Sequence, residues 1–514
     1  MKNLAIKRIQ KMTPYSPPLN GRSGFKGILL DFNERTVQVN KKAIKALEEF
    51  IKKSKVQVYP EYFTLREKIA KYVGVEKNQI MLTNGSDNGM DIIFRTFTEA
   101  GDKAIIPTPS FAMFYQCASI SGNEILTPLY KKEDLSFPEN EVLKMIDDRV
   151  KIIVICNPNN PTATVASLDT IKKIAEKAKN AVVYVDEAYF EFCGITAAGL
   201  IKKYPNIIVT RTFSKAFGLP SLRIGYVVAS KTHIDEMMKV RGPYDVNMPA
   251  YFAALAVIED IDEMKNYANE VMQKAKPMVE QFFEKNNVKY YKSGSNFILF
   301  KPEKADATYK KLIEKGVLVR PQNRTNIENT LRVSIGTVDQ MKKFIDVYRV
   351  NCLPRLKKYA FLDRDATLIF EPQDTFQIDS IDKLEILDGA IEGLQKLKTL
   401  GYELVMISNQ DGLGTKSFPK RTFEEPQNAM LKIFKKNGIE FSKILICPHF
   451  KEENCSCRKP KTGLVKDFLK EIDLKNSFMC GDRKTDEEFA NNVGIKFVSI
   501  PTNGNLIASL NKSL

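Results

Sequence analysis

The chain has 514 residues, 43% hydrophobic and 27% charged, so a sizeable apolar core is available and global disorder is excluded; at ~150 residues per domain the length allows two or three folding units. The formal charge of +16 is spread along the sequence without a basic tail or an aromatic-basic stripe, which reads as a solvated surface and gives no nucleic-acid partner. No apolar run approaches the ~18 to 20 residues that span a bilayer, the first residues carry no signal-peptide core, and eight Cys in such a chain do not make a disulfide framework, so the expectation is a cytoplasmic protein with no membrane partner.

Short β-branched runs then alternate with Lys-rich amphipathic helices, the pattern of a parallel α/β architecture. Residues 83–88 (TNGSDN) read as a glycine turn opening a helix, whose free N–H groups and dipole suit a phosphate. Strands are expected at 151–156 (KIIVIC), 181–185 (AVVYV), 206–209 and 225–228, with a helix at 171–179. The turn NPNNPT follows the first of these and presents Asn160, a neutral donor. Asp186 ends the second, where a carboxylate faces the ligand crevice of an open sheet and can hold a pyridinium N–H. Tyr189 follows three residues later, within reach of an oxygen beside such a ring. In RTFSKAFGLPSLRIGY, Lys215 sits after a strand among small and hydroxylated residues. Desolvation or nearby cations would lower its pKa and make it nucleophilic. Arg223, eight residues on, is the right group for a phosphate.

The pattern breaks at Pro354, and a domain boundary is placed there: residues 1–355 and 356–514. A strand at 359–362 runs into Asp363-Arg364-Asp365. Residues 363 and 365 share a side while the chain is extended, and two crowded carboxylates need a cation or proton between them. Mg²⁺ suits oxygen ligands and phosphates; one acid can then attack phosphorus while the other moves protons. Further strands at 403–407, 443–446, 477–480 and 496–500 lead to Ser408 and Asn409, donors for phosphoryl oxygens, and to Asp482 and Asp486. Lys459, in CRKPKTG, would neutralise developing charge. Cys447, His449, Cys455 and Cys457 supply four ligands in eleven residues, a set that suits a closed, structural tetrahedral Zn²⁺.

The ordered motifs NGSD, NPNNPT, DEAY, RTFSKAFGLPSLRIGY and LRVSIGT resemble fold-type-I pyridoxal-phosphate aminotransferases over residues 1–355, with large and small subdomains. LDFNE, VYPE and DEAYFEF are most similar to the histidinol-phosphate aminotransferases. The resemblance implies that Lys215 forms the internal aldimine and moves the proton between Cα and the cofactor. It further implies that Asp186 pairs with the pyridine nitrogen, and that Asn160 and Tyr189 bind the ring oxygen. Ser86, Asp87, Thr212, Ser214 and Arg223 would surround the cofactor phosphate, and Phe114 would stack on the ring. Tyr59 would reach the cofactor of a neighbouring subunit, which implies a homodimer. Arg332 and Arg320 would clamp the anionic ends of the substrates. Arg35, Asn88, Ala163 and Asp245 depart from the family's usual residues.

Residues 356–514 resemble the haloacid dehalogenase superfamily, a Rossmann-like fold. Asp363 would be the nucleophile that forms an aspartyl-phosphate and Asp365 the general acid and base. Mg²⁺ would lie on Asp363, the backbone carbonyl of Asp365, and Asp482. CPH followed by CxCRKP, together with SNQDGLGTKSFP, is similar to zinc-containing histidinol phosphatases. A bifunctional enzyme of two successive steps follows as the expectation. Two others stand beside it. One is an aminotransferase of other specificity fused to a heptose-bisphosphate-type phosphatase. The other is a cofactor-bound DNA-binding regulator, for which no helix-turn-helix precedes residue 30.

Overall fold

The computed structural model describes residues 3–53, 56–59, 61–353 and 356–513. Its contacts divide the chain into two compact units, with the division after Leu353. Arg355, the expected boundary residue, lies outside the described residues.

The larger unit is built on a seven-stranded sheet in the order Ile80–Thr83, Gly225–Val228, Ile207–Thr212, Val182–Asp186, Val150–Cys156, Lys103–Ile105, Glu124–Leu126. Alternate residues of its central strands feed two separate cores. Ile153, Ile155, Val183, Val185 and Val209 face one side, and Ile152, Val154, Val182, Tyr184 and Ile208 face the other. A two-residue side-chain period with both faces apolar marks a sheet covered on both sides, as parallel sheets are. Gly225–Val228 departs from the parallel expectation and pairs antiparallel with both neighbours. Only residues 213–224 separate it from the preceding strand, and they hold a single turn of 3₁₀ helix, not the long helix of a parallel crossover.

A second, antiparallel sheet in the order Arg320–Gln322, Thr330–Ser334, Phe297–Lys301, Lys289–Tyr290 forms the small subdomain. Ile28–Leu29 pairs with Val317–Leu318 and so brings residues 30–35 back to the first sheet's ligand edge. Gly27 makes that approach possible: a Cβ there would lie 2.2 Å from the Gly316 carbonyl oxygen.

The smaller unit holds a five-stranded parallel sheet in the order Lys443–Cys447, Glu403–Asn409, Tyr359–Leu362, Phe478–Gly481, Lys496–Ser499. Its strands alternate as well: Ala360, Leu362, Leu404, Met406 and Cys480 pack on one side, Tyr359, Phe361, Val405, Ile407 and Met479 on the other. Strand order reverses at Tyr359–Leu362, so the crevice beyond its carboxyl end is where such a sheet places a ligand.

Candidate active sites

In the larger unit, one cavity of about 190 Å³ is lined by Ser86, Asp87, Asn160, Asp186, Tyr189, Thr212, Ser214, Lys215 and Arg223, drawn from five segments. Asp186 ends its strand buried, its Oδ1 accepting from Thr210 Oγ1 at 3.1 Å. Burial raises its carboxyl to about 7, and Thr210 opposes the shift. A cationic ring nitrogen opposite would offset that cost and keep the acid ionised. Lys215 Nζ donates to the Phe32 carbonyl at 2.9 Å. Burial, and then the Arg332 charge, lower its amine to about 8. Tyr189 Oη accepts from Asn33 Nδ2 at 3.0 Å. Arg332 spans the small sheet and the cavity: Nη1 donates to Asn160 Oδ1 at 2.5 Å and Nη2 to the Asp31 carbonyl at 2.6 Å, while its buried Nε has no partner among the described residues.

The phosphate end of the cavity is assembled by close backbone approach. The helix Gly85–Phe97 begins beside Arg223, which holds a left-handed conformation (φ 54°) and pairs with Asp87 at 3.0 Å. A Cβ on Gly225 would lie 2.7 Å from the Ser86 nitrogen and 2.8 Å from the Arg211 carbonyl oxygen. Thr212 Oγ1 donates to Ser214 Oγ at 2.9 Å and accepts from the Ser214 backbone at 3.1 Å. Hydroxyls, a guanidinium and a helix N-terminus together form a cradle of donors that fits a phosphate.

Phe114 is a correction. It is fully buried in the second core, edge-on to Tyr184 and Phe111 at centroid distances of 5.9 and 5.8 Å. Phe111 lines the cavity instead. The helix Ala112–Ser121 begins just after Phe111, so position 111 stands free at its mouth while position 114 turns inward. Tyr59 is exposed, stacked on Tyr244 at 4.2 Å, and does not line its own chain's cavity. Arg320 also lies outside that lining, its guanidinium 5.3 Å over the Phe32 ring with Nη1 buried and unpartnered among the described residues. Sequence reading missed Phe32 and Asn33 as site residues; their motif, LDFNE, was visible, but not its return to the lysine.

In the smaller unit, Asp363 follows the central strand and Asp482 the neighbouring one. With Asp486 their carboxyl oxygens lie within 4.8 Å of one another. Buried Lys459 bridges Asp363 Oδ1 at 2.9 Å and Asp486 Oδ1 at 2.6 Å and donates to the Ile407 carbonyl at 3.0 Å. Burial works against its charge, but the two acids outweigh it and raise its pKa. Burial, then Asp363, raises Asp486 to about 7. Asp486 also accepts from the Arg483 backbone at 3.1 Å, which commits it to protein partners. Asp482 accepts from Thr502 through one oxygen at 2.9 Å, while its other oxygen is buried without a partner among the described residues. An orphaned carboxylate oxygen beside a second acid fits a hard cation such as Mg²⁺.

Asp365 stands apart from that trio: its side chain accepts from Arg364 at 2.5 Å, Gln410 at 2.5 Å and Ser408 at 3.5 Å. Asn409 is a second correction. Rather than facing a phosphoryl oxygen, its amide pairs both ways with the Lys459 backbone, at 3.2 and 2.9 Å, because the strand Glu403–Asn409 ends against that loop. Ser408 is likewise engaged, accepting from Gln410 at 2.9 Å. Gln410 and Asp486 are site residues that the sequence reading left without a role.

Cys447, His449, Cys455 and Cys457 converge with Sγ and Nδ1 atoms 3.2 to 3.7 Å apart. Ligands ~2.3 Å from a tetrahedral Zn²⁺ are separated by just such edges. Arg458, next after Cys457, donates to the His449 carbonyl and pairs with Asp411, so it pins this knuckle to the loop that follows the strand Glu403–Asn409.

Residues 26–347 match the family model described as aminotransferase class I and II, and residues 358–503 match that of polynucleotide kinase 3 phosphatase. A histidinol-phosphate aminotransferase of Thermoanaerobacter sp. (strain X514) is 37% identical over 314 residues, which are 60% of this chain and 89% of that protein. The enzyme of the same description from Methanosarcina mazei is 33% identical, covering 63% and 88%. A crystal structure described as a putative histidinol-phosphate aminotransferase from Erwinia carotovora atroseptica aligns at TM-score 0.59 and 26% identity, covering 63% of this chain and 95% of that one. A Sinorhizobium meliloti structure with pyridoxal-5'-phosphate aligns at 0.60 and 20% identity over 68% and 99%, which speaks for the fold. The larger unit has the type I fold of pyridoxal-phosphate enzymes, and the smaller carries a phosphatase domain of the haloacid dehalogenase kind. The chain belongs to the class I and II aminotransferase family.

Proposed function

We propose that the chain carries out two successive reactions. The larger unit would transfer an amino group between L-glutamate and imidazole-acetol phosphate, giving 2-oxoglutarate and L-histidinol phosphate. The smaller would hydrolyse L-histidinol phosphate to L-histidinol and phosphate. The observation that carries the reading is the single cavity holding Lys215, Asp186, Asn160 and Tyr189, in a chain whose relatives are described as histidinol-phosphate aminotransferases. The second half rests on the acid trio with Lys459, and on chemistry: the amine formed first still carries the phosphate ester the second site removes.

Bound pyridoxal phosphate would supply an electron sink for charge developing at the substrate Cα. Lys215 would hold the cofactor and move a proton at that carbon, Asp186 would keep the ring nitrogen protonated, and Asn160 and Tyr189 would bind the ring oxygen. Ser86, Asp87, Thr212, Ser214 and Arg223 would take the cofactor phosphate, Arg332 a substrate carboxylate, and Arg320 the more distant anion. The exposed aromatics Tyr59 and Tyr244, set in an apolar groove with Val56, Val58 and Phe63, support a homodimer. In the smaller unit, Asp363 attacks phosphorus and the P–O bond to the alcohol breaks, its electron pair leaving on an oxygen that takes a proton from Asp365. Asp365 then removes a proton from water, which displaces Asp363 and releases phosphate. Mg²⁺ would sit on Asp363 and Asp482, with Lys459 balancing charge, and Zn²⁺ would close the knuckle as a structural ion.

Purified protein supplied with imidazole-acetol phosphate, glutamate, pyridoxal phosphate and Mg²⁺ is expected to form 2-oxoglutarate, then histidinol and free phosphate. No phosphate release from histidinol phosphate, with release from a heptose bisphosphate or a 3'-phosphorylated oligonucleotide, would overturn the second half.

A further inference from the structure

Between the two acids of the smaller unit's first motif lies Arg364, a residue the hydrolytic scheme leaves idle. It is one of the most deeply buried side chains of the chain, with no exposed surface. A guanidinium is held in such a place only by partners that match its donors, because an unpaired buried charge is very costly. Its partners come from two directions. Nη1 donates to Asp365 Oδ1 at 2.5 Å. On the other side, the helix Lys420–Lys436 supplies Gln427, whose Oε1 accepts from Nε at 2.8 Å, and Phe423, whose ring lies 4.9 Å beneath the guanidinium carbon. Gln427 is itself buried and anchored, its Nε2 against the Met406 sulfur at 3.4 Å. The opposite edge of the Asp365 carboxyl is held by Gln410 Nε2 at 2.5 Å and Ser408 Oγ at 3.5 Å. The carboxyl is thus gripped at both oxygens by groups that are gripped in turn. Arg364 Nη2 remains buried and without a partner among the described residues, so the guanidinium is not a fully satisfied structural plug.

We propose that Arg364, set by Gln427 and Phe423, is a positioning residue that fixes the Asp365 carboxyl in the orientation from which it protonates the leaving alcohol. This rests on the phosphatase reading given above. It assigns to the helix Lys420–Lys436, which contributes no acid to the site, the task of aligning the proton donor from behind. Orientation matters because proton transfer needs heavy atoms within about 2.6 to 3.2 Å along a hydrogen-bond line, and positioned acid catalysis contributes roughly 10² to 10⁴ in rate. Ser408 and Gln410 alone would leave the carboxyl free to swing about their shared oxygen.

The test exploits leaving groups. An alkyl alkoxide leaves only when protonated, whereas p-nitrophenolate leaves without help. kcat/KM covers the steps up to loss of the leaving group, so the later attack of water does not enter it. Arg364→Met is expected to lower kcat/KM for an alkyl phosphate monoester about 10- to 100-fold, with a much smaller fall for p-nitrophenyl phosphate. Gln427→Leu, which leaves the charge but removes its anchor, should move the same ratio in the same direction by less. Equal losses on both substrates in Gln427→Leu, or no change in the ratio in either variant, would overturn the proposal. Should Arg364→Met fail to fold, Gln427→Leu decides. Wild-type protein that hydrolyses neither ester would instead sink the phosphatase reading itself.

Discussion

Lys215 shows how far one residue's chemistry follows from where it is buried. Its amine is pushed down to about 8, by loss of water first and the Arg332 cation second, with Arg223 adding to that charge and Glu34 and Asp87 opposing it. The neutral amine is the form that captures an aldehyde, so uptake of pyridoxal phosphate by cofactor-free protein should accelerate with pH around a midpoint near 8. A midpoint at the ordinary lysine value of 10.5 would contradict the burial account. The sign of the accompanying stability effect follows: between those two values the unfolded chain binds more protons at this position than the folded one, so the cost of burying this amine is full below about 8 and shrinks as pH rises towards 10.5. At this scale the sequence exposed residue types better than directions. Lys215, Asp186, Asn160 and Tyr189 come to one cavity because each sits at the end of a recognisable strand or turn. Phe111 and Phe114 were indistinguishable without the phase of the helix that starts between them, and Asn409 was indistinguishable from a ligand donor without the loop it braces.

Elements were legible where the side-chain period was strong. The runs 151–156, 181–185 (apart from Ala181) and 359–362 lie in strands because apolar side chains, largely β-branched in the first two of the three, fill both faces. The strand Gly225–Val228 was legible too, but not its reversal, since direction depends on the geometry of the connection rather than on strand composition. Nor was the small antiparallel sheet, whose partners Phe297–Lys301 and Thr330–Ser334 lie far apart in sequence. The cysteine knuckle belongs to this scale too. It begins at Cys447, the last residue of the strand Lys443–Cys447, and its loop continues to Lys459. Structural zinc binding of order 10 kcal/mol would be folding energy for that loop. Cys457→Ser should therefore abolish bound zinc by elemental analysis and lower the melting temperature of the smaller unit by several degrees, with phosphate release falling as Lys459 loses its seat. A variant that keeps one tightly held zinc per chain would show that the four residues are not its ligands.

Across the whole molecule, each unit has its own main sheet and its own hydrophobic clusters, and each main sheet presents a separate set of reactive groups. Asp363→Asn is expected to stop phosphate release while 2-oxoglutarate still forms. Lys215→Ala should do the reverse when histidinol phosphate is supplied directly. Loss of both activities from either single change, in protein that remains folded by circular dichroism, would refute independent chemistry. The division after Leu353 also bears on supply. Two catalysts encoded on one polypeptide are made in equal number at every level of expression, so a change in synthesis alters the amount of both together and leaves their ratio at one to one.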